Sequence, residues 1–179
     1  EPKNQFNALQ SLISSYFPND ISILALSYRD KEFCDGLEKK GFSNIEIYNC
    51  LSPTEEKYNK IETIQARFCS LENNLLQEGE KYDLIIGNRF LHHLHNTENF
   101  FTVINELLED DAYVYFEVPD SRQGFINLDY SILFEEHTLY FTQESLKFFF
   151  ESSGYELIWM VDYTFPVENS LNILARKRK

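Results

Sequence analysis

The stretch YDLIIGNRFLHHL, residues 82–94, decides the fold. Its first half is an apolar run of strand length, which is typical of a central strand buried on both faces. A turn containing histidines follows, and an amphipathic helix is predicted over residues 97–108. A further strand is predicted over residues 112–118, and Pro119 directly after it ends the strand. The order strand, helix, strand indicates a parallel βαβ unit.

Working outward in both directions, the same alternation continues. Helices are predicted over residues 6–16, from Asp30 to a cap at Gly41, and from a cap at Thr142 to Gly154. The segment 120–141 is expected to be irregular. The remaining strands are expected at 21–26, 45–48, 64–68, 156–162 and 170–175. The sequence therefore predicts an α/β, Rossmann-like fold with a seven-stranded, mostly parallel sheet, an antiparallel C-terminal hairpin and helices on both faces.

Length, composition and net charge limit the kinds of protein that this chain can be. A chain of 179 residues with 43% hydrophobic residues suits one domain, expected over residues 1–179, and Glu1 in place of methionine indicates a processed chain or a piece of a longer one. The sequence contains no apolar run of membrane-spanning length, so a cytoplasmic location is expected. A net charge of −13 argues against nucleic-acid binding. Three scattered cysteines are expected to be reduced packing residues.

Three pieces of sequence carry a family resemblance. The first is residues 82–94, the second is FEVP at 116–119, and the third is FEEHTLYFT at 134–142. Together with the order of elements, they resemble the class I S-adenosylmethionine (SAM) dependent methyltransferases. From Arg67 to Arg176 the chain is most similar to the nucleotide-sugar C-methyltransferases.

The resemblance implies an acceptor site after the expected strand at residues 112–118. In that family, Glu and His at the positions of Glu136 and His137 abstract the proton from the sugar carbon that is methylated. An imidazole beside a carboxylate suits such a proton transfer near neutral pH. Glu117, Phe134 and His92 are the candidate substrate contacts, although Phe134 replaces the family's tyrosine and lacks its hydroxyl. The alternative is that Glu136 and His137 form a polar rim that holds the loop.

The cofactor loop departs from the family. A SAM-binding loop has an acidic residue at the strand end and then alternating glycines, which let the backbone approach the cofactor. Here Ala25 replaces the acid, while Ser27, Arg29 and Lys31 replace the glycines. Asn49 also replaces the acid expected to bind the ribose. By position, the resemblance implies that six residues bind the cofactor: Ser27, Tyr28, Asn49, Asn88, Phe90 and Leu91.

The histidines at 92, 93 and 95 raise the question of a metal site. Their spacing does not match a known zinc pattern, and the nearby sequence lacks a cysteine or carboxylate to complete a ligand set. We therefore expect surface or pocket-lining histidines and no metal.

These sequence features leave two main candidate functions for the chain. The first is a SAM-dependent methyltransferase whose acceptor is a sugar or a nucleotide-linked sugar. The second is a catalytically inactive methyltransferase-fold domain without a cofactor, which binds a partner enzyme or domain in polysaccharide biosynthesis. A weaker third alternative is that Arg29 and Lys31 turn the cofactor pocket into an anion site, for example for a sugar phosphate.

Overall fold

A computed structural model describes residues 2–27, 30–48, 79–134, 137–164 and 169–178. Six strands form one sheet within these residues: β1 (Ile23–Ala25), β2 (Ile45–Ile47), β3 (Tyr82–Asn88), β4 (Leu108–Pro119), β5 (Tyr155–Tyr163) and β6 (Ser170–Lys177). Their order across the sheet is β2-β1-β3-β4-β6-β5. The first four strands pair in parallel, whereas β6 is antiparallel to both β4 and β5. The predicted mixed sheet with an antiparallel C-terminal hairpin is confirmed.

Five α-helices accompany these strands in the described residues: α1 (Pro2–Tyr16), α2 (Lys31–Glu38), α3 (Thr97–Leu107), α4 (Arg122–Asn127) and α5 (Gln143–Ser152). Side chains alternate between the two faces of a strand, so the sheet has two separate cores. Strand residues such as Leu24 and Ile85 pack with α3 and α5, while Ile23 and Leu84 pack with α1 and α2. Helices therefore cover both faces, as predicted.

The helix ends follow the predicted signals. Thr142 caps α5 in a capping box with Ser145, and Gly154 after that helix has a φ of 89°. Gly41, after α2, has a φ of 103°, which glycine adopts without strain. Asp111, within β4, has a φ of 63°, which is in the same left-handed region. Local chemistry thus fixes the turns that lead into and out of the sheet.

The sequence prediction fails in one segment and stays untested in another. Residues 120–141, expected to be irregular, contain α4 and a 3-10 turn over Tyr130–Ile132. The helix was missed because it lacks a buried apolar stripe: Phe125 and Ile126 are 48% and 62% exposed. The expected strand at 64–68 lies outside the described residues, so the sheet has six described strands where seven were predicted.

None of the described helices combines the length and the apolar character that a bilayer-spanning segment requires.

Candidate functional site

The carboxyl ends of β1, β3 and β4 lie side by side at one edge of the sheet, where ligands bind in folds of this type. Ser27 follows β1, Asn88 ends β3, and Glu117 lies opposite Asn88 in the register of β3 with β4. All three side chains are buried. The structure thus brings together three of the predicted site residues. Tyr28, Asn49 and Glu136 lie outside the described residues.

Asp30 is a site residue that the sequence analysis missed. Its Oδ1 accepts hydrogen bonds from the backbone N–H of Asn88 (2.9 Å) and from Asn88 Nδ2 (2.6 Å), and its own N–H donates to the Ser27 carbonyl (2.9 Å). An aspartate just before a helix is ordinarily a helix cap, and the sequence analysis treated it as the helix start. Here its Oδ1 instead joins the ends of β1 and β3.

Burial raises the pKa of the Asp30 carboxyl to about 7, although the hydrogen bonds from Asn88 and the Ser27 backbone oppose this shift. The nearby Glu117 carboxylate raises this pKa slightly further. The carboxyl therefore changes charge near neutral pH. A cation placed beside it would favour the ionised form.

Two buried oxygen atoms at this edge lack a hydrogen-bond partner among the described residues: Asp30 Oδ2 and Asn88 Oδ1. Both are acceptors, and SAM carries an ammonium group, hydroxyl groups and a sulfonium charge. The described residues thus fit that cofactor in charge and in hydrogen-bonding character.

Lys31, one of the two cations of the anion-site alternative, lies on the surface of α2. Its Nζ donates to Asp35 Oδ1 at 2.7 Å, one helical turn further along α2, and its side chain is 68% exposed. In this structure Lys31 therefore contributes an ion pair to the surface of α2.

Glu117 is paired within the protein. Its Oε1 lies 3.6 Å from Arg89 Nε, and the Arg89 N–H donates to the Glu117 carbonyl at 2.9 Å. Arg89 adopts a φ of 52°, which turns the chain sharply after β3. This pairing offsets the desolvation of the Glu117 carboxylate. Its predicted contact with substrate stays a prediction.

Phe90 and Leu91 are both fully buried, in the core cluster packed against α3 and α5. The Phe90 ring lies 5.8 Å from that of Phe100 on α3. These contacts anchor the turn that follows β3, and so they fix where the next residues, His92 and His93, lie.

Three imidazoles meet above this turn. His92 and His93, on a 3-10 turn over Leu91–His93, are buried, with ring centroids 4.0 Å apart. The half-buried ring of His137 lies 4.4 Å from that of His92 and 5.1 Å from that of His93. We call His92, His93 and His137 the histidine cluster. His95, by contrast, is exposed. The cluster could not be predicted from local sequence because His137 is 45 positions from His92 and 44 from His93 in the chain.

Hydrogen bonds fasten the loop that carries His137 to the histidine turn. The N–H groups of Thr138 and Leu139 both donate to the His92 carbonyl, at 2.9 and 3.2 Å. The Thr138 hydroxyl donates to the Leu94 carbonyl at 2.6 Å and lies 3.2 Å from the His92 carbonyl oxygen. The position of His137 is therefore set by backbone bonds on both sides of the cluster.

Tyr140 is hydrogen-bonded to the backbone of Phe134, a predicted substrate contact. The Tyr140 hydroxyl accepts from the Phe134 N–H and donates to the Phe134 carbonyl, both at 3.2 Å. The Phe134 ring is 52% exposed and lies 4.9 Å from the His137 ring. A phenolic hydroxyl is thus present in this loop next to Phe134.

A cavity of about 400 Å³ opens beyond the carboxyl end of β4. His137 and Phe134 line one part of it, and polar side chains line much of the rest: Asp120, Asn127, Asp129 and Asn169. Most of this wall comes from the segment 120–134, which the sequence analysis expected to be irregular. The volume of the cavity is in the range of small-molecule binding sites.

Comparisons with known proteins agree with this architecture. A family model described as a methyltransferase domain matches residues 3–159. A comparison with curated proteins finds no match.

Similar solved structures are those of methyltransferases. An S-adenosylmethionine-dependent methyltransferase from Clostridium acetobutylicum is 11% identical, with a TM-score of 0.61 over 97% of this chain and 90% of that one. The 1,6-didemethyltoxoflavin N1-methyltransferase of Burkholderia thailandensis, with bound 1,6-didemethyltoxoflavin and S-adenosylhomocysteine, is 11% identical, with a TM-score of 0.65 over 97% of this chain and 78% of that one. The magnesium protoporphyrin IX methyltransferase of Synechocystis PCC 6803, with bound S-adenosylhomocysteine, is 15% identical, with a TM-score of 0.58 over 97% and 82%. The chain therefore belongs to the methyltransferase-domain family and has the class I fold of the SAM-dependent enzymes.

Proposed function

We propose that the chain transfers a methyl group from SAM to a sugar or to the sugar part of a nucleotide-linked sugar. The observation that carries this proposal is the polar cavity beyond β4, with His137 in its wall. Family membership supports methyl transfer as the reaction class. The acceptor class rests on the chemistry of the cavity.

The cavity wall suits a ligand with many hydroxyl groups. Asp120 and Asp129 each accept one backbone hydrogen bond, from Arg122 at 3.0 Å and from Ser131 at 2.9 Å. A carboxylate has lone pairs for several donors, so both can also accept from ligand hydroxyls. Two carboxylates in one wall disfavour a phosphate there. We infer that the cavity holds the sugar, while a nucleotide diphosphate lies outside it.

His137 is the candidate base in this arrangement. Bound SAM supplies an electrophilic methyl group, and the acceptor atom must lose a proton to become a nucleophile. An imidazole is suited to accept that proton near neutral pH. His137 is held by the bonds between Thr138 and the histidine turn, so its ring stays at the cavity wall. Asp30 and Asn88 supply acceptors for the cofactor's donor groups.

The inactive-domain alternative has one observation in its favour. The glycines of the cofactor loop are replaced, and the Ser27 side chain, at the first of these positions, is completely buried in the protein. A turn filled by side chains leaves less room for a bound cofactor. In this alternative the fold binds a partner enzyme or domain and holds no SAM.

Calorimetric titration with SAM and S-adenosylhomocysteine separates the two functions. Micromolar binding of either compound supports the methyltransferase and contradicts the inactive domain. Absence of heat, together with an unchanged melting temperature at millimolar ligand, contradicts methyl transfer by this chain. The melting temperature is included because a ligand that binds only the folded state raises it even when the binding enthalpy is small.

Methyl transfer from labelled SAM to a panel of free and nucleotide-linked sugars then tests the acceptor. With an acceptor that reacts, His137→Ala is expected to lower kcat about 100- to 10,000-fold, the usual contribution of a general base. The exposed His95 provides a matched control, and His95→Ala should leave kcat unchanged. Equal rates for His137→Ala and the unmodified chain would refute the proposed base.

A further inference from the structure

The histidine cluster has a second chemical capacity, which the proposed methyl transfer does not use. A ring nitrogen from each of His92, His93 and His137 can be chosen so that all three atoms lie within 4.8 Å of one another. Two of the three side chains are buried, and the third is half-buried. Three imidazoles that converge in this way form a donor set that Zn²⁺ binds readily.

The spacing is close to that of a zinc site. Tetrahedral zinc with Zn–N bonds of about 2.0–2.1 Å holds its nitrogen ligands about 3.3 Å apart. From separations of at most 4.8 Å, movements of about an ångström by each ring would close the site. The cluster's two backbone segments are already tied together by Thr138 and Leu139 through the His92 carbonyl. Metal binding therefore requires side-chain adjustment and no rearrangement of the loop.

Electrostatics favours a cation at this place. Protonation of more than one ring would put like charges only 4.0–5.1 Å apart, measured between ring centroids, whereas three neutral imidazoles can share one metal ion. Asp120 and Asp129 in the adjoining cavity wall and the net charge of −13 add a negative potential.

We propose that His92, His93 and His137 form a binding site for one Zn²⁺ ion, whose fourth coordination position faces the cavity beyond β4. Three protein ligands with one open position are typical of zinc sites that bind an exchangeable ligand. The open side follows from the position of His137, which is both in the cluster and in the cavity wall. A nitrogen that coordinates zinc cannot take up a proton, so zinc binding and the base function of that His137 nitrogen exclude each other.

The proposal is tested on the chain without SAM or acceptor, so its outcome is independent of methyl transfer. The purified chain is freed of metal with a chelator and titrated with Zn²⁺ in competition with a chromophoric chelator. We expect one site per chain, with an affinity that falls as the pH is lowered because protons compete for the imidazoles. His137→Ala should weaken binding by more than about 100-fold, since removing even an outer partner of a ligand costs about 10- to 100-fold. His95→Ala should leave the affinity unchanged.

X-ray absorption at the zinc edge of the unmodified, zinc-loaded chain covers the case in which variants at the buried His92 and His93 do not fold. Three imidazole nitrogens at about 2.0–2.1 Å support the site. Sulfur ligands, or a zinc affinity equal in the unmodified chain and in His137→Ala, would overturn it. So would zinc binding that depends on His95.

Discussion

The functional edge of this sheet has a closed region and an open one. In the closed region, which we call the cofactor side, Ser27, Asp30 and Asn88 are buried and bonded mainly to one another. In the open region, the acceptor side, Phe134 and His137 line a cavity of about 400 Å³. Both regions contain polar side chains at the ends of parallel strands. They differ in whether those side chains face the protein or a space that a ligand can fill.

The two sides differ in how their polar groups are held. On the cofactor side the described polar groups bond to one another within the protein, and burial raises the pKa of the Asp30 carboxyl. On the acceptor side, a hydrogen bond from Thr138 to the Leu94 carbonyl holds the loop that carries His137. His137 therefore stays at the cavity wall. Stability measurements therefore probe the first region best, and ligand measurements the second.

The largest expected effect comes from Asp30→Asn on the cofactor side. The folded-state pKa of about 7 lies above the ordinary value of 3.8, so the folded chain holds a proton that the unfolded chain releases as pH rises. Stability from this group is complete below about pH 4 and is lost as pH rises to about 7 and above. The difference is on the order of 4 kcal/mol. The introduced amide keeps an oxygen for the two bonds from Asn88 and does not ionise, so the variant should gain stability relative to the unmodified chain as pH rises.

Urea unfolding between pH 4 and pH 8 measures this gain as the difference between variant and unmodified chain. Asp110→Asn is the matched control because Asp110 is exposed on β4, and its difference should stay nearly constant with pH. A flat difference for Asp30→Asn would mean that the carboxyl is not desolvated as described. The closed character of the cofactor side would then be wrong.

A smaller effect is expected from Thr138→Val, which tests how the acceptor side is held. The variant keeps the side-chain shape and loses the hydroxyl that donates to the Leu94 carbonyl. Loss of such a hydrogen bond should lower the free energy of unfolding by about 1–2 kcal/mol. It should also weaken the zinc binding proposed above, because the loop carries His137.

Thr102→Val is the control. It removes a hydroxyl that donates to the Glu98 carbonyl within the exposed face of α3, and it should change stability by less than about 0.5 kcal/mol. Equal losses in the two variants would show that the Thr138 bond does not hold the loop.

Much of the fold could be predicted from local sequence, and the site only in part. The strand at 82–88 and the caps at Thr142 and Gly154 are local signals, and the structure has them where expected. The role of Asp30 is not local, since the same aspartate before a helix fits an ordinary cap. Its partner Asn88 is 58 positions away. Pairings over such distances depend on how strands are ordered in the sheet, which periodicity does not specify.

The acceptor side shows the same limit in another form. The motif at 134–142 located His137 by resemblance, but its neighbours His92 and His93 come from the turn after β3. The helix α4, which supplies part of the cavity wall, has exposed apolar residues and so lacks the helical hydrophobic pattern. A site built from two such segments becomes visible only when the chain is folded.

The smallest effect is expected from Phe134→Tyr, which adds a hydroxyl on the acceptor side. The ring is 52% exposed at the cavity wall, so an added hydroxyl needs no burial, and stability should change by less than about 0.5 kcal/mol. In the cavity the hydroxyl can donate to an oxygen of the methyl acceptor, and a new neutral hydrogen bond of about 0.5–1.5 kcal/mol corresponds to about a 2- to 10-fold lower KM.

Phe148→Tyr is the control because Phe148 is 71% exposed on α5 and is not part of the described cavity wall. A lower KM in the Phe134 variant alone would locate the acceptor beside His137, whereas equal KM values in both variants and the unmodified chain would place it elsewhere. A marked loss of stability in Phe134→Tyr would show that this wall is packed rather than open, and the contrast between the two sides would fail.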